Sequence, residues 1–157
     1  MRVYYCFKFI KFLILIMKLK LPLLALTLLT TLGLTISPVN ADFNDGMIAF
    51  ENQDFRAAAK EWMPLAANGD AKAQTNLGIL YFNGKGVLKD YKKAVEMLKS
   101  AARKGEAEAQ FILGKIYIEG DGVAKSLRTA KIWVQRAYEN NFDGAEALWN
   151  EHELWKY

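Results

Sequence analysis

Few side chains in this sequence of 157 residues could carry out chemistry. Nucleophilic catalysis needs a nucleophile, a base and a group that orients the base within hydrogen-bonding reach. The single histidine is His152, and the only serines beyond residue 41 are Ser100 and Ser126. The single cysteine, Cys6, lies far from all of them in the chain. One histidine and one cysteine provide neither a disulfide nor the usual ligands of a zinc site.

Paired glutamates are the remaining candidates for acid–base chemistry. Glu106 and Glu108 are two positions apart, as are Glu151 and Glu153. In a helix, residues with this spacing point to different faces, so neither pair can act as two cooperating carboxylates. The sequence therefore predicts no enzyme, no metal site and no cofactor.

The first 41 residues differ in composition from the rest of the chain. They contain five basic residues and no acid, whereas residues 42–157 contain 16 basic and 17 acidic residues. The formal charge of +4 for the whole chain thus becomes −1 beyond residue 41. A net charge of −1 gives no support to nucleic-acid binding, which needs a basic stripe.

A signal peptide is predicted over residues 1–41. Lysines precede an apolar run at 21–36, and Val39 and Ala41 provide the small side chains that signal peptidase requires. We place cleavage after Ala41, with Met17 as an alternative start of the leader. The competing hypothesis is an uncleaved anchor over 7–36, since about 20 apolar residues can span a bilayer. Cleavage predicts a periplasmic or secreted protein with no stable membrane span.

The rest of the chain repeats every 36 residues, which is typical of a repeat architecture. Segments 73–81 and 109–117 share alanine, glutamine, leucine, glycine and tyrosine at equivalent positions, and a Gly-x-Gly-Val follows each. The structural repeat positions are Leu77, Gly78, Tyr81, Gly84 and Gly86 in one copy and Leu113, Gly114, Tyr117, Gly120 and Gly122 in the next.

Each repeat is predicted to form two helices, because its apolar residues recur at i, i+4, i+7 and i+8. Seven helices are expected, at about 43–52, 54–68, 70–82, 90–104, 106–119, 126–140 and 143–156. Good N-cap residues precede five of them: Asp54, Asp70, Asp90, Ser126 and Asp143.

Glycine has two predicted roles in each repeat. Gly84 and Gly120 are expected to end the first helix in a left-handed conformation. Gly78 and Gly114 lie inside a helix, where glycine costs about 1 kcal/mol relative to alanine. This repeated cost indicates a close approach of the partner helix.

These motifs resemble the Sel-one-like repeat (Sel1-like repeat, SLR) family, which is related to tetratricopeptide repeats. The family pattern, complete in 73–108, is Ala-x-x-x-Leu-Gly-x-x-Tyr-x-x-Gly-x-Gly-Val, followed by an aspartate and a Lys-Ala-containing second helix. In the next repeat Ser126 replaces the aspartate. The resemblance implies a single all-α domain over 42–157, a right-handed α/α superhelix. It divides into a partial repeat 43–72, repeats 73–108 and 109–144, and a capping helix 145–157.

The resemblance also implies a role in binding another protein or peptide, as an adaptor or scaffold in the cell envelope. An immunity protein that neutralises a toxin is the first alternative. A hydrolase on a solenoid scaffold is the second, since a cysteine-rich branch of the family is linked to β-lactams. This chain has no cysteine beyond residue 41 and does not resemble that branch.

First helices usually line the concave face of such solenoids, so partner-binding candidates are the first-helix residues that are not needed for packing. They are Lys72, Thr75, Asn76, Ile79, Glu108, Phe111, Ile112 and Lys115. Phe111 and Ile112 have two interpretations, an apolar floor for a partner's side chain or packing against the last helix. In that last helix, Leu148, Trp149 and Trp155 are expected to face inward.

Overall fold

The computed structural model describes residues 42–157, and the predicted signal peptide over 1–41 lies outside the described residues. This part of the chain forms seven α-helices followed by a short 3-10 turn, and it contains no strand. The helices are α1 Phe43–Glu51, α2 Phe55–Ala67, α3 Ala71–Asn83, α4 Tyr91–Arg103, α5 Ala107–Glu119, α6 Leu127–Glu139 and α7 Ala145–Glu151, and the turn is Leu154–Lys156. Each helix packs against the next along the chain. The predicted all-α repeat of helix pairs is confirmed.

The second helices begin where the capping residues predict. Asp54 and Asp90 each accept a hydrogen bond through Oδ1 from the backbone N–H three residues on, at 3.0 and 2.9 Å. Ser126 Oγ accepts the equivalent bond from the N–H of Thr129 at 3.2 Å. These bonds satisfy N–H groups of the first turn that have no partner within the helix. Asp70 caps the first helix α3 in the same way, at 2.7 Å.

The predicted cap at Asp143 is wrong. Helix α7 begins after Gly144, which has φ +86°, and no side chain caps it. Two additional residues precede α7 relative to the 36-residue period, and they shift the start of the helix beyond the reach of this aspartate.

The predicted last helix, 143–156, is shorter in the structure. It ends at Glu151, and Glu153 takes a left-handed conformation with φ +47° before the 3-10 turn. This break rotates the end of the chain, so that Leu154 is buried and Trp155 is exposed. The expectation that Trp155 faces inward is therefore wrong, whereas Leu148 is buried as predicted.

The mid-helix glycines lie where the partner helix comes closest. A Cβ on Gly78 would lie 3.0 Å from Cγ of Leu98, and a Cβ on Gly114 would lie 2.4 Å from Cγ2 of Val134. Both contacts join the first helix of a repeat to its second helix. The close approach predicted from these glycines is confirmed. The two helices of each repeat are so close there that glycine is the residue that fits without displacing a neighbour.

Replacing Gly114 by alanine is expected to lower the melting temperature by several degrees. Helix propensity alone predicts the opposite sign, a gain of about 1 kcal/mol. The contact with Val134 decides the result, because an added methyl group overpacks a well-packed core.

A thermal melt followed by circular dichroism measures the effect of this change. The double variant with Val134→Ala removes the methyl group in contact and serves as the control. If Gly114→Ala alone stabilises the protein, the close contact does not limit packing there.

Two buried or half-buried glutamines join neighbouring repeats. Gln74 Nε2 donates to the carbonyl of Ala66, and Gln110 Nε2 donates to that of Ala102, both at 2.9 Å. Each thus satisfies a carbonyl near the end of the preceding second helix. Asn140 Nδ2 donates to Oε1 of Gln110 at 2.8 Å and completes the link. The glutamine conserved between the two repeats of this chain is a polar connection between repeats.

Candidate protein-interaction surface

The residues predicted to bind a partner lie on the first helices α3 and α5, with α1 beside α3 and α7 beside α5. On α3, Lys72 is exposed and Ile79 is half-buried. Asn76 is half-buried, and its Nδ2 lies 3.5 Å from Sδ of Met47 in α1, so these two helices are neighbours on this side. We call this side of the domain the first-helix face.

Thr75 is not available on the first-helix face. Its side chain is 1% exposed, and its hydroxyl donates to the carbonyl of Ala71 at 2.9 Å. The inward position satisfies the hydroxyl within the helix, so Thr75 is a core residue of the fold. The prediction of a partner contact at this position is therefore not supported.

The α5 candidates differ in their surroundings. Lys115 is exposed, and Glu108 is half-buried beside Glu106. Burial first, and then the negative charge of Glu106, raise the pKa of Glu108 above its ordinary value. Ile112 packs against the middle core cluster, which contains Leu113.

Phe111 packs near the last helix and also keeps part of its surface in a cleft, so both of its predicted environments apply. Its ring is tilted against the ring of Phe142, with centroids 4.9 Å apart, and it packs against the core cluster nearest the C-terminal end. Its ring also lies close to Gly144, just before α7. The remaining surface of Phe111 lines a cleft of about 350 Å³ between α5 and α7.

This α5–α7 cleft is lined by both apolar and charged side chains. Phe111, Ile118 and Leu148 provide apolar surface. The polar and charged residues that line it are Lys115, Glu119, Glu151 and His152. The arrangement can hold an apolar side chain of a partner, with the two glutamates available to a basic neighbour.

A second cleft, which the sequence did not indicate, lies between α6 and α7. It encloses about 590 Å³ and is lined by Tyr138, Trp149 and polar side chains. Lys131 Nζ lies 5.9 Å from the centre of the Trp149 ring. Trp149 was expected to be a core residue, but it is half-buried and packs on the core from this side. An exposed tyrosine on a second helix gives no periodic signal that would have identified the cleft.

Charge is divided between the two sets of helices. The first helices, with α7, carry six acidic and two basic residues, whereas the second helices carry three acidic and nine basic residues. The net charge near zero beyond residue 41 thus hides an acidic set and a basic set. This division comes from assigning each residue to its helix, and overall composition cannot reveal it.

The serine and the histidine considered for catalysis have different surroundings in the structure. Ser126 caps α6, and its Oγ is 2.9 Å from Oγ1 of Thr129. His152 lines the α5–α7 cleft after the end of α7. Within residues 42–157, no group of three or more histidine, cysteine or acidic side chains could hold a metal ion. In the same range, no helix has the length and apolar character needed to cross a membrane.

Comparisons with known proteins agree with this architecture. The family model described as Sel1 repeat matches residues 71–106 and 107–142. These bounds are two residues earlier than the predicted repeats and have the same period of 36. No curated protein matches the chain.

Two solved structures are similar to this chain. One is a protective antigen present in uropathogenic Escherichia coli strains that displays an SLR fold, with 27% identity, a TM-score of 0.59 and coverage of 64% of this chain and 23% of that chain. The other is a Sel1 repeat protein from Oxalobacter formigenes, with 33% identity, a TM-score of 0.64 and coverage of 69% and 42%. The chain therefore spans less than half the length of either protein.

The fold and its surface define an α/α repeat protein of the kind that mediates protein–protein interactions. More specifically, residues 71–106 and 107–142 are Sel1 repeats. Solenoids of this family are typically non-catalytic scaffolds.

Proposed function

We propose that the protein is an exported adaptor that binds another protein or a peptide through its first-helix face. The observation that carries this proposal is the α5–α7 cleft, in which the half-buried ring of Phe111 lies beside charged side chains. A solenoid needs its apolar residues for stacking, so apolar surface left in a cleft is available to a partner.

The charges of this face indicate the chemistry of the partner segment. Glu119 and Glu151 line the cleft, and the first helices with α7 have an excess of acidic residues. A segment with one apolar side chain next to a lysine or arginine would match both features. We propose that the adaptor recognises such a segment.

Export is proposed from the leader, where a basic stretch precedes an apolar run that ends at Val39-Asn40-Ala41. Mass spectrometry of the N-terminus in the producing cell tests cleavage. A mature N-terminus after Ala41 supports export by this route, and a chain that begins at Met17 or earlier contradicts it.

We also propose that the protein has no catalytic activity of its own. Ser126 has a structural role as an N-cap, and His152 is the sole histidine. Turnover of a chromogenic β-lactam by the purified protein would overturn this proposal in favour of the hydrolase.

The adaptor proposal predicts that Phe111→Asp and the double variant Glu119→Lys/Glu151→Lys each weaken partner capture at least tenfold. The first change places a carboxylate on the apolar surface of the cleft, and the second reverses two charges in its lining. Affinity capture from the envelope fraction with the full chain, followed by quantitative mass spectrometry, measures the loss.

The matched control is Glu61→Lys/Glu96→Lys, which makes the same charge change on the second helices. It is expected to retain capture. The variant Glu119→Lys/Glu151→Lys keeps the test decisive if Phe111→Asp unfolds the protein, because Glu119 and Glu151 are exposed. Equal capture by that variant and by the control would refute the first-helix face as the binding surface.

A further inference from the structure

The second helices present positive charge that carboxylates of the protein do not neutralise. Within residues 42–157, a single ion pair forms, between Lys156 and Glu153. Several cations lie instead against aromatic rings, such as Lys85 at 4.8 Å from the ring centre of Phe55 and Lys89 at 4.5 Å from that of Tyr91. A cation over an aromatic ring keeps its charge and remains available to an anion.

Two of these lysines, Lys85 and Lys89, lie on the loop that joins α3 to α4, and two further basic residues line a cleft beside that loop. A cleft of about 500 Å³ lies between α2 and the loop that joins α3 to α4. Arg56, Lys60 and Met63 line it from α2, and Gly86 and Val87 line it from the loop. We call this cleft and the loop at 84–90 the basic cleft.

The loop presents an apolar side chain among the cations. Leu88 is 91% exposed, with Lys85 and Lys89 near it in the chain. The loop is held at both ends, because the N–H of Lys85 donates to the carbonyl of Leu80 and the N–H of Asp90 donates to that of Tyr81, each at 3.0 Å. The protein therefore holds Leu88 outward on a defined backbone.

Two acidic residues belong to the basic cleft, Asp54 in its lining and Asp90 at the end of its loop, and both are engaged as helix caps. Asp54 and Asp90 each accept a backbone N–H at the start of a second helix. A carboxylate in this position is paired with the positive end of the helix dipole. The arginine and lysines of the basic cleft thus remain as its free charge.

We propose that the basic cleft docks on the surface of an anionic phospholipid bilayer, with Leu88 entering the interface between its lysines. Lysines near an anionic bilayer are attracted to the headgroups, and an apolar side chain gains by insertion among the acyl chains. The protruding leucine and the half-exposed Met63 favour a lipid surface over a soluble polyanion, which has no apolar layer to receive them.

This docking goes beyond adaptor function and does not depend on it. The basic cleft is built from α2 and the α3–α4 loop, whereas the α5–α7 cleft that is proposed to bind the partner is built from other helices. Bilayer docking can therefore fail while partner capture persists, and the reverse also holds.

The test uses a readout at one position, since the apolar residues 1–41 would bring the full chain to any bilayer. The full chain with Cys6→Ser and Leu88→Cys carries one apolar fluorophore at position 88, which takes the place of the leucine side chain. Vesicles contain phosphatidylcholine alone or with one-third phosphatidylglycerol, and a lipid-linked nitroxide near the headgroups quenches the fluorophore. A second protein labelled through Glu119→Cys on α5 is the positional control.

Quenching at position 88 is expected only in the anionic vesicles, and it is expected to disappear in 0.5 M salt, where the screening length falls to about 4 Å. Lys85→Gln/Lys89→Gln is expected to lower the ratio of docked to undocked protein about 25-fold, since each lysine contributes a factor of roughly five. Arg128→Gln/Arg136→Gln removes two cations from α6 and is expected to keep the quenching.

Three results would overturn the proposal. They are equal quenching at positions 88 and 119, equal quenching in neutral vesicles, and no effect of Lys85→Gln/Lys89→Gln in a protein with an unchanged melting curve. Binding of soluble polyglutamate without quenching at position 88 would assign the basic cleft to an acidic polypeptide instead.

Discussion

Replacing Trp62 by alanine is expected to lower the free energy of unfolding by about 3–5 kcal/mol, as for other buried tryptophans. The side chain is fully buried in α2 and contacts the rings of Phe43 and Phe50, with centroids 6.0 and 5.8 Å away. Its Nε1 donates to the carbonyl of Phe43 at 3.2 Å. A Cβ on Gly46 would lie 2.2 Å from that nitrogen, so α1 rests directly on the indole.

The loss should be concentrated at α1. This helix has nine residues, which is too short to be stable in water without tertiary contacts. Hydrogen exchange should therefore show α1 losing protection before the other helices. Chemical denaturation measures the total change.

Trp155→Ala is the matched control for Trp62, because Trp155 is half exposed. Its removal is expected to change the free energy of unfolding by less than about 1 kcal/mol. Trp62→Phe keeps an aromatic ring and loses the hydrogen bond, which is worth about 1 kcal/mol. Equal losses for the two alanine variants would show that Trp62 does not hold α1 in place.

Replacing Gly86 by alanine is expected to lower the free energy of unfolding by more than about 2 kcal/mol. A left-handed conformation alone costs a non-glycine residue about 1–2 kcal/mol, and the contact adds to this cost. Gly86 has φ +71°, and a Cβ there would lie 2.3 Å from the backbone carbonyl carbon of Phe55. Backbone atoms at the start of α2 cannot move aside as a flexible side chain can. The equivalent residues also meet one repeat later, but there the contact is with a side chain, since a Cβ on Gly122 would lie 2.5 Å from Cβ of Tyr91.

Gly105→Ala separates the cost of the left-handed conformation from the cost of the contact between repeats. Gly105 has φ +93°, but a Cβ there would meet nothing within 4 Å, so this variant reports only the conformational cost. Chemical denaturation of both variants gives the difference that is due to the contact between repeats. If Gly86→Ala lowers the free energy of unfolding no more than Gly105→Ala does, Gly86 is needed only for its left-handed conformation.

The local structure was predictable because it depends on contacts close in the chain. The 36-residue period, the helical spacing of apolar residues and the caps at Asp54, Asp90 and Ser126 all act within one turn or one repeat. Where the period breaks before α7, the local rules failed. Asp143 does not cap, and Trp155 is exposed in place of Leu154.

The candidate site was predictable only in part. The pattern places Lys72, Lys115 and Phe111 on first helices, and the structure brings Phe111 and Lys115 to one cleft with residues of α7. Thr75 was misassigned, because a hydroxyl that bonds to its own helix can be buried where the repeat pattern permits a polar residue. The clefts beside Trp149 and beside Met63 depend on how helices meet, which no single segment encodes.

The helical repeat, its period, its caps and its family resemblance can be read from the sequence, because they follow from spacing and local conformational preference. The role of each repeated position is visible only in the folded structure. The structure showed that the second loop glycine touches the preceding repeat and that Gln110 joins two repeats. It also separated acidic first helices from basic second helices. Packing between helices and the placement of charge are long-range properties, and they exist only once the chain has folded.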